Sequence, residues 1–255
     1  MLGIKIIHIH GGETTLGAID DKLRHAISQL STLHFTSAIK HKEKVEKMGH
    51  KQENVFNVGP MAIDGLLNMQ KYNREEFTVK TKFVFDKNNF LITYHPETIA
   101  KDLGINAFRN LLNVLNNINC NTLFTSPNAD AGNELILEEI KKYISKNKLN
   151  AFFIPSLGQE LYLNALRLFD CVIGNSSSGI IEAPLIGNTV INIGNRQKGR
   201  YRFGKVNDVH NYKEIEAAIK KVTFRRREGI QENEYLRFKK LNSPVEKILK
   251  VLKNV

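Results

Sequence analysis

Cysteine is scarce in this chain, with two in 255 residues. Cys120 and Cys171 sit at the edges of apolar segments without a C-x-x-C or related spacing. That excludes a disulfide framework and a cysteine metal site, and leaves buried free thiols as the expectation. No apolar run approaches the ~20 residues a membrane-spanning helix needs. The N-terminus has none of the basic region, apolar core and small-residue cleavage site of a secretory signal. A cytoplasmic location away from membranes is therefore expected. In that setting Asn175-Ser176-Ser177, which matches a glycosylation sequon, reads as a turn. There is no internal repeat and no low-complexity segment.

What the chain does have is charge and length. The formal net charge is +11, a balance that suits an anionic small substrate or a nucleic acid. The basic residues are scattered, and the densest stretch, KHKEKVEKMGHK from Lys40, interleaves glutamates at helical spacing as a solvated face does. Arg225-Arg226-Arg227 is the only pure basic cluster, and no recognition motif accompanies it. Nucleic acid is accordingly not expected as a partner. The length allows one large domain or two small ones.

Apolar and β-branched runs alternate with helical patterns along most of the chain, which is the signature of a parallel sheet covered on both faces. Leu2 to Ile9 reads as a buried strand opening into Gly11-Gly12. A helix from Asp20 carries Leu23, Ile27 and Leu30 on one face. Strands at Leu33 to Thr36 and Asn54 to Val58 flank a Lys-rich helix, and a short helix follows Met61. Residues 1–70 thus form a partial first domain with one βαβαβ half, and the charged, poorly periodic residues 71–88 form a connection. Residues 89–255 form the second domain, with strands at 90–94, 122–125, 151–154, 171–173 and 189–193. Helices are expected near 104–117, 133–146, 159–169 and 179–186, then near 212–222, 231–240 and 244–252.

Ligands of parallel α/β sheets bind beyond the carboxyl ends of the strands. Those ends read HIHGGETT, TYHPET, TSPNADAG, GNSSSG and NIGNRQKGR. The stretch from Cys171 to Arg200 is the centre of this reading. Unpaired N–H groups and serines at the opening of a helix suit an anion, and Arg196 and Arg200 add positive charge. Glu182 one turn later is placed to accept from sugar hydroxyls. The alternative for the same pattern is an ordinary capped helix between two strands. His8 and His10, two apart on a strand, admit metal chelation with Glu13 or His25, but acid–base or hydrogen-bonding roles are preferred and no metal is expected. Asp20-Asp21 also serve as favourable charges at a helix N-terminus. His95, held extended by Pro96, faces a phosphate or a leaving group or is structural, and Asn128 forms an Asx-turn or a ligand contact.

The segments HIHGGETTLGAIDDKLRHAI, TYHPET, SPNADAG and GNSSSGIIEAPLIGNTVINIGNRQKGR, in that order, closely resemble the hydrolysing UDP-N-acetylglucosamine 2-epimerases of sialic-acid-type biosynthesis. The resemblance runs from Ile4 to Arg200 and weakly beyond. It implies two Rossmann-like domains of the glycosyltransferase-B type, the first incomplete, because family members carry a further N-terminal segment with the first βαβ units. It implies that His95, Asn128, Ser176, Ser177, Glu182 and Arg196 contact UDP. It also implies that Asp20 is a catalytic acid, with His10 standing where some relatives have glutamate, and that His95 takes part in catalysis. The implied reaction is elimination of UDP across C1–C2 to a 2-acetamidoglucal, then hydration to N-acetylmannosamine, with no cofactor. The alternative outcome is a truncated remnant that binds UDP without turnover. Homo-oligomerisation is expected of the full-length protein.

Overall fold

The computed structural model describes residues 4–16, 20–225 and 242–253. The chain opens with β1 (Ile7–Ile9), α1 (Asp20–Leu30), β2 (Leu33–Thr36), α2 (Ile39–Lys47), β3 (Val55–Asn57) and α3 (Ala62–Asn68). The strands form a parallel sheet in the order β1-β2-β3. β1 is shorter than the Leu2 to Ile9 run, and it is not the buried strand expected: Ile7 and Ile9 are 44% and 43% exposed. Among the described residues it lies at the sheet edge, with a neighbouring strand on one side only.

The next stretch gives α4 (Arg74–Thr81), which begins with a reciprocal capping box between Asn73 and Glu76. Then come β4 (Asn89–Thr93), α5 (Ile105–Leu115), β5 (Asn121–Phe124), α6 (Asn133–Lys146), β6 (Ala151–Phe153) and α7 (Gly158–Leu168). The remainder is β7 (Cys171–Gly174), α8 (Glu182–Leu185), β8 (Val190–Ile193), β9 (Asn207–Val209), α9 (Tyr212–Arg225) and α10 (Pro244–Leu252). Six parallel strands are ordered β6-β5-β4-β7-β8-β9. Strand alternation divides their side chains between two cores. Phe90, Ile92 and Ile173 meet α5, α6 and α9, while Leu91, Leu123 and Val172 meet Phe77, Phe83 and α7. Cys120 and Cys171 are free and buried.

Three departures from the sequence reading have physical causes. No single helix runs over 179–186: a 3₁₀ turn at Ser177–Gly179 is followed by the one-turn α8. Pro184 lacks the N–H a longer helix requires, and Gly187 at φ +78° ends the turn. β9 was not anticipated because Asn207 and Asp208 lack strand propensity; its position is fixed by pairing along β8 and by Asn192 and Arg202 bonding to Asp208. Finally, α10 returns to the first sheet, where Ile248 joins Leu33, Phe35 and Val58, and Ser243 bonds to Asp64 of α3. The helix expected near 231–240 lies outside the described residues. Among the described residues, no helix is long and apolar enough to cross a membrane.

Candidate functional site

The second sheet changes direction between β4 and β7: β5 and β6 extend one way from β4, and β7, β8 and β9 the other. Such a switch point leaves a crevice at the carboxyl ends of the two central strands. β4 runs out into His95, and β7 ends in Gly174-Asn175. Only glycine fits at 174. Its φ is +142°, and a Cβ there would lie 2.0 Å from the Thr93 carbonyl oxygen.

This close approach sets up a clamp. Asn175, fully buried, accepts from the His95 N–H at 2.7 Å and donates to the His95 carbonyl at 2.8 Å. Gln197 donates to the Asn175 carbonyl at 2.6 Å. The amide of the sequon is therefore committed inside the fold, and the tripeptide is a turn as read.

The His95 ring has a defined protonation pattern. Its Nδ1 accepts from the backbone N–H of Asn128 at 2.9 Å. Burial, then the nearby Arg196 charge, pushes its pKa down to about 4. At neutral pH it is uncharged, with its proton on Nε2. Asn128 is thus tied to His95 through its backbone N–H, a contact that neither of the two side-chain roles read for it, an Asx-turn or a ligand contact, describes.

The other residues picked out from the sequence follow β7 and β8. Ser176 accepts from the Ser178 hydroxyl, itself bonded to Tyr162, and Ser177 opens the 3₁₀ turn. The Ser176 side chain does not cap that turn, so of the two roles read for the serines, helix capping is not filled here. Arg196 lies 3.5 Å from Asp130 and donates to the Asn175 carbonyl. Glu182 begins α8 with one carboxylate oxygen buried and without a hydrogen-bond partner. Burial raises its pKa, against the pull of its own N–H and of Arg200 and His10. A buried, unsatisfied acceptor is costly unless a donor arrives, as ligand hydroxyls would.

The loops of the two sheets meet across this crevice. Leu16 N–H donates to the Lys198 carbonyl at 3.0 Å, and Arg200 lies 3.5 Å from Glu13. His10 follows β1 with φ +66°, a left-handed backbone that costs a non-glycine residue ~1–2 kcal/mol. The turn breaks strand alternation, so His8 and His10 take different partners. His8 bonds to Ser28, while His10 meets Glu13 at 2.6 Å and accepts from Met61 N–H at 3.3 Å. Among the described residues no group of three or more His, Cys, Asp or Glu is arranged to hold a metal. Asp20 opens α1, and its side chain lies outside what is described. Its neighbour Asp21 accepts from Thr15 N–H at 2.7 Å, tying the loop to the helix.

Sequence reasoning missed the residues that hold the site. Glu97, buried beside Gly194, accepts from Asn195 N–H at 3.1 Å and so fastens the loop after β4 to the loop after β8. Asn175 as a clamp, Gln197 and Tyr162 were likewise passed over, and Glu13 was weighed only as a metal ligand, not as the partner of His10. The signal for Glu13 and Glu97 was present, since each is an acid within a strand-end motif already singled out.

The UDP-N-acetylglucosamine 2-epimerase family model matches residues 1–253. This chain belongs to the UDP-N-acetylglucosamine 2-epimerase family. It is 39% identical over 209 residues to the GDP/UDP-N,N'-diacetylbacillosamine 2-epimerase (hydrolyzing) of Campylobacter jejuni, covering 82% of this chain and 54% of that protein. It is 36% identical to the polysialic acid biosynthesis protein P7 of Escherichia coli, covering 82% and 53%. The chain thus spans about half the length of these curated relatives. UDP-GlcNAc 2-epimerase from Neisseria meningitidis, solved bound to UDP-GlcNAc, superposes with a TM-score of 0.73 at 15% identity, covering 99% of this chain and 70% of that one. The epimerase fold of glycosyltransferase-B type is therefore shared.

Proposed function

We propose that this epimerase-family chain carries the site of a hydrolysing 2-epimerase acting on UDP-N-acetylglucosamine or a close UDP-amino-sugar. The products are UDP and the free C2-epimeric sugar, N-acetylmannosamine for the parent substrate. We read residues 1–70 as one unit and 89–255 as a second, joined by 71–88, with α10 returning to the first. The observation that carries the functional reading is an uncharged His95 presenting Nε2–H beside the Arg196 charge at the switch point, with a buried, unsatisfied Glu182 carboxylate oxygen at the start of α8 just after β7.

Each feature has a task. His95 Nε2–H and Arg196 stabilise charge on the departing diphosphate, Arg196 exchanging its contact with Asp130 for the ligand. The Ser176 and Ser177 region approaches the diphosphate, and Glu182 accepts from the ribose hydroxyls. Across the crevice, His10 and Asp20 serve the sugar. Loss of the C2 proton and of UDP from C1 leaves the 2-acetamidoglucal, and addition of water across that double bond gives the epimer.

The test is incubation with UDP-N-acetylglucosamine and UDP-N,N'-diacetylbacillosamine, following UDP and free sugar by NMR. Release of both supports the reading; intact sugar nucleotide beside an active full-length relative rejects it for this chain. A second reading, UDP binding without turnover, is favoured by the exposure of the apolar residues on β1 and α1, which leaves the His10 side of the crevice on a thin scaffold. It requires UDP binding by calorimetry that Arg196→Ala weakens.

A further inference from the structure

His10 is held by two partners, each of which can play only one part. An ionised carboxylate only accepts, so the ring nitrogen facing Glu13, Nδ1 at 2.6 Å, must donate. A backbone N–H only donates, so the nitrogen facing Met61, Nε2, must accept. The neutral ring is thereby fixed as the Nδ1–H tautomer, with its lone pair on Nε2. His95 is fixed the other way, with its lone pair on Nδ1 and its proton on Nε2.

Glu13 is itself built in. Its side chain is 8% exposed and also accepts from the Ser37 hydroxyl at 2.7 Å, which in turn meets His41 Nδ1 at 2.8 Å. Burial alone would favour the neutral acid, but the bonds from His10 and Ser37 and the Arg200 charge outweigh it and hold the carboxyl at about 2. The other titratable groups acting on His10 or its partner are His8 of β1, His41 of α2, Arg200 of the loop after β8 and Glu182 of α8.

We propose that Glu13 is a positioning residue which locks His10 as the Nδ1–H tautomer, making Nε2 the atom that exchanges a proton with the sugar. This rests on the epimerase reading. In the elimination, Nε2 leaves Met61 N–H and takes the C2 proton. The C2–H electron pair becomes the C1=C2 bond, and the C1–O pair departs with UDP. The resulting imidazolium keeps its Nδ1–H on the Glu13 carboxylate, which offsets the new positive charge. The left-handed backbone at His10 is consistent with a ring position set by function, since such strain persists where the surroundings over-determine it.

The tautomer is readable without substrate, by two-dimensional ¹⁵N–¹H NMR of histidine-labelled protein. Neutral His10 is expected to show a protonated Nδ1. Glu13→Gln, whose amide can turn its NH₂ toward Nδ1, should shift the ring population toward Nε2–H, with an otherwise native amide spectrum. In turnover the same variant should lose about 100-fold in kcat with KM within about twofold. An Nε2–H ring in the wild-type protein overturns the proposal whatever the variant does. So does an unchanged His10 tautomer population in a folded Glu13→Gln protein. Absence of UDP release by the wild-type chain instead defeats the epimerase reading, so the two failures are distinguishable.

Discussion

The two sheets are built from the same βα alternation, yet among the described residues only the second is closed on both faces. Around β4 and β7 the apolar side chains fall into two clusters at or near zero exposure. Around β1 and α1 the same kind of pattern is left open: Ile4 is 74% exposed, Leu23 65% and Leu30 64%. Apolar periodicity therefore specifies which face a helix will bury, but not whether anything is present to cover it. The consequence for the site is asymmetric. His95, Arg196 and Glu182 stand on a six-stranded scaffold, whereas His10 and Glu13 stand on three short strands fastened by α2 and α10.

The largest effect that tests this difference comes from the closed sheet. Phe83 is fully buried, with Phe85, Phe152 and Phe169 ring centroids 4.9, 5.0 and 4.7 Å away. Phe83→Ala should cost about 3–5 kcal/mol in urea unfolding, because the cavity is ringed by aromatics that cannot easily collapse. A loss under about 1 kcal/mol would mean that the second sheet is not the rigid half.

Much of this architecture was legible in the sequence. Every strand of both sheets except β9 was anticipated, because runs such as Phe90-Leu91-Ile92 are apolar on both faces and bounded by turn residues. β9 escaped because it is strand by pairing rather than by composition. At the site, His95, Asn128, Ser176, Ser177 and Arg196 were read as polar residues at strand ends and Glu182 as an acid one turn further on; the fold ties His95 to Asn128 and sets the Arg196 charge beside it. What could not be read was the hydrogen-bond direction. That Asn128 acts through its N–H, that Asn175 grips both backbone groups of His95, and that Glu13 fixes His10 are facts of geometry between loops distant in sequence.

Acid should separate the two sheets by an intermediate amount. His34 in β2 is lowered to about 4 by burial, then by His50 and His8, while His8 and His41 are lowered chiefly by burial. In the second sheet His95 is lowered to about 4 in the same way. A histidine with a depressed folded value takes up its proton first in the unfolded chain. Its contribution is present above about pH 6.5 and is lost as pH falls toward 4, at ~1.4 kcal/mol for each tenfold difference in proton affinity between the folded and unfolded chain. Glu13, at about 2 when folded, adds a further loss between about pH 4.5 and 2. With three such histidines against one, amides of β1–β3 should lose hydrogen-exchange protection at higher pH than those of β4–β8. Simultaneous loss would show that the sheets unfold as one unit.

The smallest effect on stability belongs to the open face, and it sharpens the comparison most. Leu23, Ile27 and Leu30 form a stripe along α1, each at least 47% exposed. Because these side chains give up little contact with water on folding, Leu23→Ser and Leu30→Ser should each change unfolding free energy by no more than about 0.5 kcal/mol. An exposed apolar stripe beside an edge strand nonetheless favours association, since both apolar surface and free backbone groups gain by being covered. The double variant should therefore sediment with less self-association than the wild-type chain at equal concentration while its urea midpoint stays put. A large drop in midpoint would mean that α1 is packed in solution as tightly as the helices of the second sheet, and the contrast between the two regions would disappear.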